Sequence, residues 1–126
     1  MNRIETFPVS IRGYADPDMR RLMKKRGGVK AAGQGYFLLM LLYDSDGCIK
    51  LDDLSREIVC ETLEISDDDL DGYLETCADL GFIDKMMLDK RGEVISRGVV
   101  KQIEYIEKKQ IAGSKGGKAK KGGDDG

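Results

Sequence analysis

The sequence predicts a mainly α-helical domain with a small β-hairpin, an α+β fold of winged helix-turn-helix type. Three observations predict it. The chain has 126 residues, enough for one domain with a single core and too few for two ordinary ones. Helical patterns follow one another before a β-hairpin pattern, and the link Glu64 to Ser66 is as short as a helix-turn-helix requires. The phrase Asp79-Leu80-Gly81-Phe82-Ile83-Asp84 then ends an apolar helix on glycine and passes into an extended run. A plain helical bundle is the alternative architecture.

Residues 1–15 read as an extended arm. Pro8 biases Phe7 toward extended backbone, and alternation at Phe7, Val9 and Ile11 suits an edge strand. The domain proper spans 16–110. Asp16 can cap a first helix, Pro17 fits its first turn, and Asp18 suits the positive end of the helix dipole. Met19, Leu22 and Met23 form its apolar stripe, and Gly27-Gly28 ends it.

A second helix is expected from about Val29 to Tyr43. Its second half is apolar all round and is therefore expected to be the most buried element. Asp44-Ser45-Asp46-Gly47 is a turn by composition, and Cys48-Ile49-Lys50 a short extended piece. A third helix starts near Asp52, with Leu51, Leu54, Ile58 and Ile65 on one face. Ser66 caps a fourth, Asp67 to about Leu80, which buries Leu70, Tyr73, Leu74 and Cys77. Phe82-Ile83-Asp84 and Gly92-Glu93-Val94-Ile95 read as two strands joined by a charged wing loop. Ser96 caps a last helix with Val99, Ile103 and Ile106 on one face. Residues 111–126 are rich in glycine and lysine and read as a flexible tail.

Composition removes several function classes. The chain has no histidine, which excludes Ser-His-Asp and Cys-His catalysis and histidine-ligated metal. It has no tryptophan and eight scattered Phe and Tyr, a sparse platform for stacking single strands. Cys48, Cys60 and Cys77 form no CxxC pair and lie in or beside apolar segments, so they read as reduced packing cysteines. The start carries no signal-peptide pattern, and the run Tyr36 to Tyr43 falls short of the ~18 residues a membrane span needs. A cytoplasmic protein without membrane contact is expected.

The net charge of −2 conceals three blocks. Residues 1–30 carry eight basic and three acidic residues, net +5; residues 31–107 carry seven and eighteen, net −11; residues 108–126 carry six and two, net +4. The basic blocks supply the candidate nucleic-acid contacts. These are Arg20, Arg21, Lys24 and Lys25 on helix one, with Arg26 and Lys30 following; Lys90 and Arg91 in the wing; Arg97 and Lys101 in the last helix; and Lys118, Lys120 and Lys121 in the tail. Neutralising about four phosphates would give a slope near −3.6 in log K against log salt. A solubilising tail and an ordinary solvated helix face explain the same residues.

The fourth helix, which reads the major groove in winged helices, is acidic. Asp71, Glu75 and Asp79 lie a turn apart with Asp68 near the same face, and no basic residue occurs between Asp67 and Leu80. Without a compensating cation this helix is rejected as a base reader. Its face is either solvated or a dock for a basic protein partner or a second copy of the chain.

Other motifs fail on inspection. Gly117-Lys118 is followed by Ala119, so a P-loop lacks its Ser or Thr. Gly33-Gln34-Gly35 lacks the third glycine of a dinucleotide fingerprint. Asp44, Asp46, Asp52 and Asp53 lack the closing glutamate of a calcium loop. No catalytic residue, metal site or cofactor is expected, and the chain reads as a non-enzyme.

Phe7-Pro8, Asp18-Met19-Arg20-Arg21-Leu22, Lys25-Arg26-Gly27-Gly28, Leu41-Leu42-Tyr43, Gly47, Leu80-Gly81-Phe82-Ile83-Asp84-Lys85 and Val94-Ile95-Ser96-Arg97-Gly98-Val99 occur in order. In order and spacing they resemble the Lin-like N-terminal domain, a domain of unknown function from phages and mobile elements. The resemblance covers roughly residues 7–105 and extends to a Gly-Gly-Lys-rich tail, Gly113 to Lys121. It implies a winged-helix domain associated with DNA replication, since such domains often precede DnaD-like regions, with phage replication proteins among its partners. Cys48 departs from the family, where an aromatic is common. No replication-type domain follows residue 126, so a stand-alone or truncated version of the family is expected. The sequence thus supports DNA binding through helix one, wing and tail, or protein docking through Asp68, Asp71, Glu75 and Asp79.

Overall fold

The computed structural model describes residues 12–122, with side chains to residue 111 and Tyr14 excepted. The expected strand at Phe7, Val9 and Ile11 lies outside the described residues. A 3-10 turn, Gly13–Ala15, leads into α1 (Pro17–Arg26) and α2 (Val29–Asp44). Then come β1 (Cys48–Lys50), α3 (Asp53–Leu63), α4 (Asp67–Asp79), α5 (Lys85–Arg91), β2 (Glu93–Ile95) and α6 (Arg97–Gly122). The fold is mainly helical with one small two-stranded antiparallel sheet.

Local chemistry sets most boundaries. Asp16 accepts the Met19 amide at 2.9 Å, Asp52 that of Ser55 at 2.8 Å, Ser66 that of Asp69 at 3.2 Å, and Ser96 that of Val99 at 3.2 Å. Gly27, at φ +114°, closes α1, and its amide donates to the Met23 carbonyl. Glu64 ends α3 in the left-handed region at φ 52°, which makes the short turn into α4.

The core lies where α2, α3, α4 and α6 converge beneath the sheet. Leu38 and Leu42 of α2, Val59 and Leu63 of α3, Leu70 and Leu74 of α4, and Val99 and Ile103 of α6 are all buried. Two expectations fail here. The most heavily buried helix is α4, with Leu70, Tyr73, Leu74, Thr76, Cys77 and Ala78 inside, whereas α2 leaves Phe37 50% and Met40 47% exposed. An all-apolar helix can set one side against the core and still leave the other exposed. On α3, Leu54 is 67% and Ile58 46% exposed, because the helix docks through the adjacent Val59 and Leu63 row instead.

The expected hairpin from Phe82 to Ile95 is also corrected. Residues 85–91, predicted as a wing loop, form α5. Asp84 is its N-cap, accepting the Met87 amide at 2.9 Å, and Gly92 closes it at φ +61°. Glu93–Ile95 is a strand, but its partner is β1, with Cys48 opposite Ile95, Ile49 opposite Val94 and Lys50 opposite Glu93. Ile49 and Val94 are the buried members, so one sheet face is pinned to the core. Phe82-Ile83-Asp84 meets β2 through the Asp84 amide on the Ile95 carbonyl, at 2.8 Å. The last helix was expected to give way to a tail after Gln110, whereas α6 continues through the Gly/Lys segment to Gly122.

Candidate nucleic-acid interface

Leu22, 1% exposed, turns one side of α1 inward. At 100° per residue Arg20 and Lys24 fall opposite Leu22, with Arg21 and Lys25 on the flanks, and all four are exposed. Arg21 pairs with Asp18 at 2.9 Å. Among the described residues Arg20, Lys24 and Lys25 close no ion pair, although Lys25 lies near enough to Asp79 to help hold that carboxyl below its ordinary range.

Arg26 behaves differently. At the last position of α1 it lies on the Leu22 side and reaches α4, donating from Nε to Thr76 Oγ1 at 2.9 Å. Its guanidinium rests on Gly72. A Cβ built there would stand 2.9 Å and 3.0 Å from the two terminal nitrogens and 3.3 Å from the central carbon. Beside it a cleft of about 360 Å³ is lined by Lys25, Arg26, Lys30, Gln34, Glu64, Ile65, Ser66, Asp69 and Tyr73. Gln34 is buried and donates to the Leu63 carbonyl at 3.0 Å, and Tyr73 donates to that of Ala31 at 2.9 Å. Sequence reading grouped Arg26 with the cations of α1 but could not see this seat. The available signal was glycine at mid-helix, a choice that costs about 1 kcal/mol against alanine.

The acidic face of α4 is partly answered from outside the helix. Arg56 of α3 donates to Asp67 Oδ1 at 2.6 Å, to Asp71 Oδ1 at 2.9 Å and to the Asp67 carbonyl at 3.1 Å. These contacts hold the Arg56 guanidinium above its ordinary pKa. Lys85 pairs with Asp79, and the hydrogen bond lowers the aspartate's pKa and raises that of the lysine. Asp68 and Glu75 have no ion-pair partner among the described residues. The expectation that α4 lacks a compensating cation is thus corrected: the cations come from α3 and α5.

The remaining basic candidates are spread over other elements. Lys90 and Arg91 occupy the exposed last turn of α5. Arg97 is engaged with Asp84 at 2.8 Å, whereas Lys101 is exposed on α6. Lys118, Lys120 and Lys121 lie on the α6 backbone, and their side chains are outside the described residues. The structure brings together Lys25, Arg26 and Lys30; α5 packs on α4 and β2, while α1 packs on α2 and α4.

The cysteines differ from one another. Burial pushes the Cys77 thiol up to about 12, which makes it inert packing at neutral pH. Cys60 is half-buried, and Cys48 is exposed on the outer face of β1, against the expectation that it packs. Among the described residues no group of three or more Cys, Asp or Glu is placed to hold a metal ion. Among them, too, no helix is long and apolar enough to cross a membrane. No family model matches the chain, and neither a curated protein nor a solved structure matches it.

Proposed function

We propose that this chain is a non-enzymatic winged-helix accessory of phage or mobile-element DNA replication that binds DNA without reading its sequence. The order α2, β1, α3, α4, β2 supports the winged-helix reading, with α5 occupying the place of the wing. The observation that carries DNA binding is the group Arg20, Lys24, Lys25, Arg26 and Lys30, cations that close no ion pair among the described residues. Cations held free of internal ion pairs are available to displace counterions from a phosphate backbone. Lys90, Arg91 and Lys101, with the lysines of the tail, extend the contact.

Titrating a mixed-sequence DNA duplex at several salt concentrations tests this reading. Binding that weakens with a log–log slope of about −3 to −4 is expected, with little dependence on sequence. No binding at low ionic strength overturns it. The alternative, docking of a basic protein on the acidic face of α4, is weakened by the pairing of Asp71 and Asp79 inside the molecule. It rests on Asp68 and Glu75.

A further inference from the structure

We propose that the cleft between the end of α1, the start of α2 and the start of α4 seats a single phosphate group, with Arg26 as its fixed guanidinium. Three observations converge on it. Lys25, Arg26 and Lys30 line one cleft and close no ion pair among the described residues, although Glu64 and Asp69 line the same cleft and Lys25 also feels Asp79 outside it. Arg26 is held in place by its Nε bond to Thr76 Oγ1, so its terminal nitrogens are set before any ligand arrives. The seat for that guanidinium is Gly72, where any side chain would collide with Arg26. Glycine is a poor residue for a helix interior, and making room for Arg26 is what it does here.

The two carboxylates set the size of the ligand. Three cations against two carboxylates leave room in charge for one phosphate, while a triphosphate filling the cleft would meet Glu64 and Asp69. Phosphate geometry matches the two terminal nitrogens of an arginine, with the lysines as point charges around it. The phosphate has two possible sources, a nucleic-acid backbone or a free phosphate compound. Assigning it to DNA rests on the proposed function above, whereas the seat itself does not.

Amide chemical shifts followed by NMR, in the full chain, separate these questions. Inorganic phosphate should move the amides around Gly72, Thr76 and Lys30. Arg26→Gln should weaken that binding about tenfold or more, while Lys50→Gln, an equal loss of charge on the exposed side of β1 and outside the cleft, should leave it intact. Gly72→Ala should weaken it by displacing the guanidinium; should that variant not fold, Arg26→Gln decides alone. Phosphate that moves no cleft amide, or that binds Arg26→Gln as it binds the parent, overturns the seat. A DNA duplex titrated in parallel identifies the source. If DNA binds and Arg26→Gln flattens its salt slope by about one, the backbone is the ligand. DNA binding with a phosphate-silent cleft removes the seat and leaves the DNA reading standing. Phosphate binding in the cleft without DNA binding removes the DNA reading and assigns the seat to a free phosphate compound.

Discussion

Gly47 and Gly81 share nearly the same φ, +89° and +85°, yet their surroundings are opposite. Gly47 is buried in the turn after α2, donating to the Leu42 carbonyl at 2.7 Å and accepting the Ser96 amide at 3.1 Å. A Cβ there would stand 2.5 Å from Val100 Cγ2 and 3.3 Å from the Val100 amide nitrogen. At Gly81 a Cβ would meet nothing within 4 Å. Alanine at either position carries the left-handed penalty of about 1–2 kcal/mol, partly offset by the stiffer unfolded chain. At Gly47 the collision with backbone and a β-branched side chain adds about 1–3 kcal/mol. Gly47→Ala should therefore cost about 2–5 kcal/mol and Gly81→Ala about 1 kcal/mol, read from urea unfolding with unchanged slopes. Equal losses at the two sites would refute the argument that α6 closes directly over this turn.

Replacing Arg56 by methionine keeps its aliphatic packing but removes three hydrogen bonds to α4. The partners are mostly exposed and screened, so a loss of about 1–2 kcal/mol is expected. A double-mutant cycle with Asp71→Asn should show positive coupling, and additive losses would count against the staple. Acid should weaken the fold through Asp52, Asp79 and Asp84. The Ser55 amide, Lys85, and the Met87 amide with Arg97 respectively hold these carboxyls below their ordinary range. Their folded pKa values are depressed, so their stabilisation is complete above about pH 4 and is lost as pH falls through those values. Urea midpoints measured from pH 6 downward should fall below pH 4, and Asp84→Asn should flatten the fall.

The legible parts of the sequence are those governed by neighbours along the chain. Asp16, Ser66 and Ser96 act on amides three residues away, so their helices could be placed without knowing the fold. The same chemistry was present at Asp84 and Gly92, but two strand-like runs flanking a charged stretch outweighed it. Strand pairing is decided at a distance: β2 found β1, separated from it by three helices, where Ile49 and Val94 could be buried together. On α3 the Leu54 and Ile58 row stayed exposed and the Val59 and Leu63 row entered the core, although each carries two apolar residues. Leu51 and Ile65, beyond the helix ends, still pack against the core. The cations of α1 were legible as an exposed face. The seat of Arg26 was not, because Gly72 and Thr76 come from another helix and carry no charge to announce it.

The opposed charge blocks also look different once the ion pairs are known. Two of the four acids in the Asp68, Asp71, Glu75 and Asp79 row are tied to Arg56 and Lys85, so they exert less field outside the molecule than their number implies. Asp68 and Glu75 remain, on the same helix as Gly72, where Arg26 rests. A DNA backbone drawn to α1 would feel their repulsion. If that is where DNA binds, Asp68→Asn with Glu75→Gln should tighten binding. At about 10 Å in water-like dielectric each charge is worth a fraction of a kcal/mol, so about two- to fourfold in affinity is expected at low salt. The gain should shrink above ~0.1 M salt, where the screening length drops below that separation, and vanish toward ~1 M. A basic partner docked on α4 demands the reverse, a loss of binding to that partner and no gain for DNA. One double variant, measured against a DNA duplex, thus decides whether the acidic helix is a neighbour of the binding face or the binding face itself.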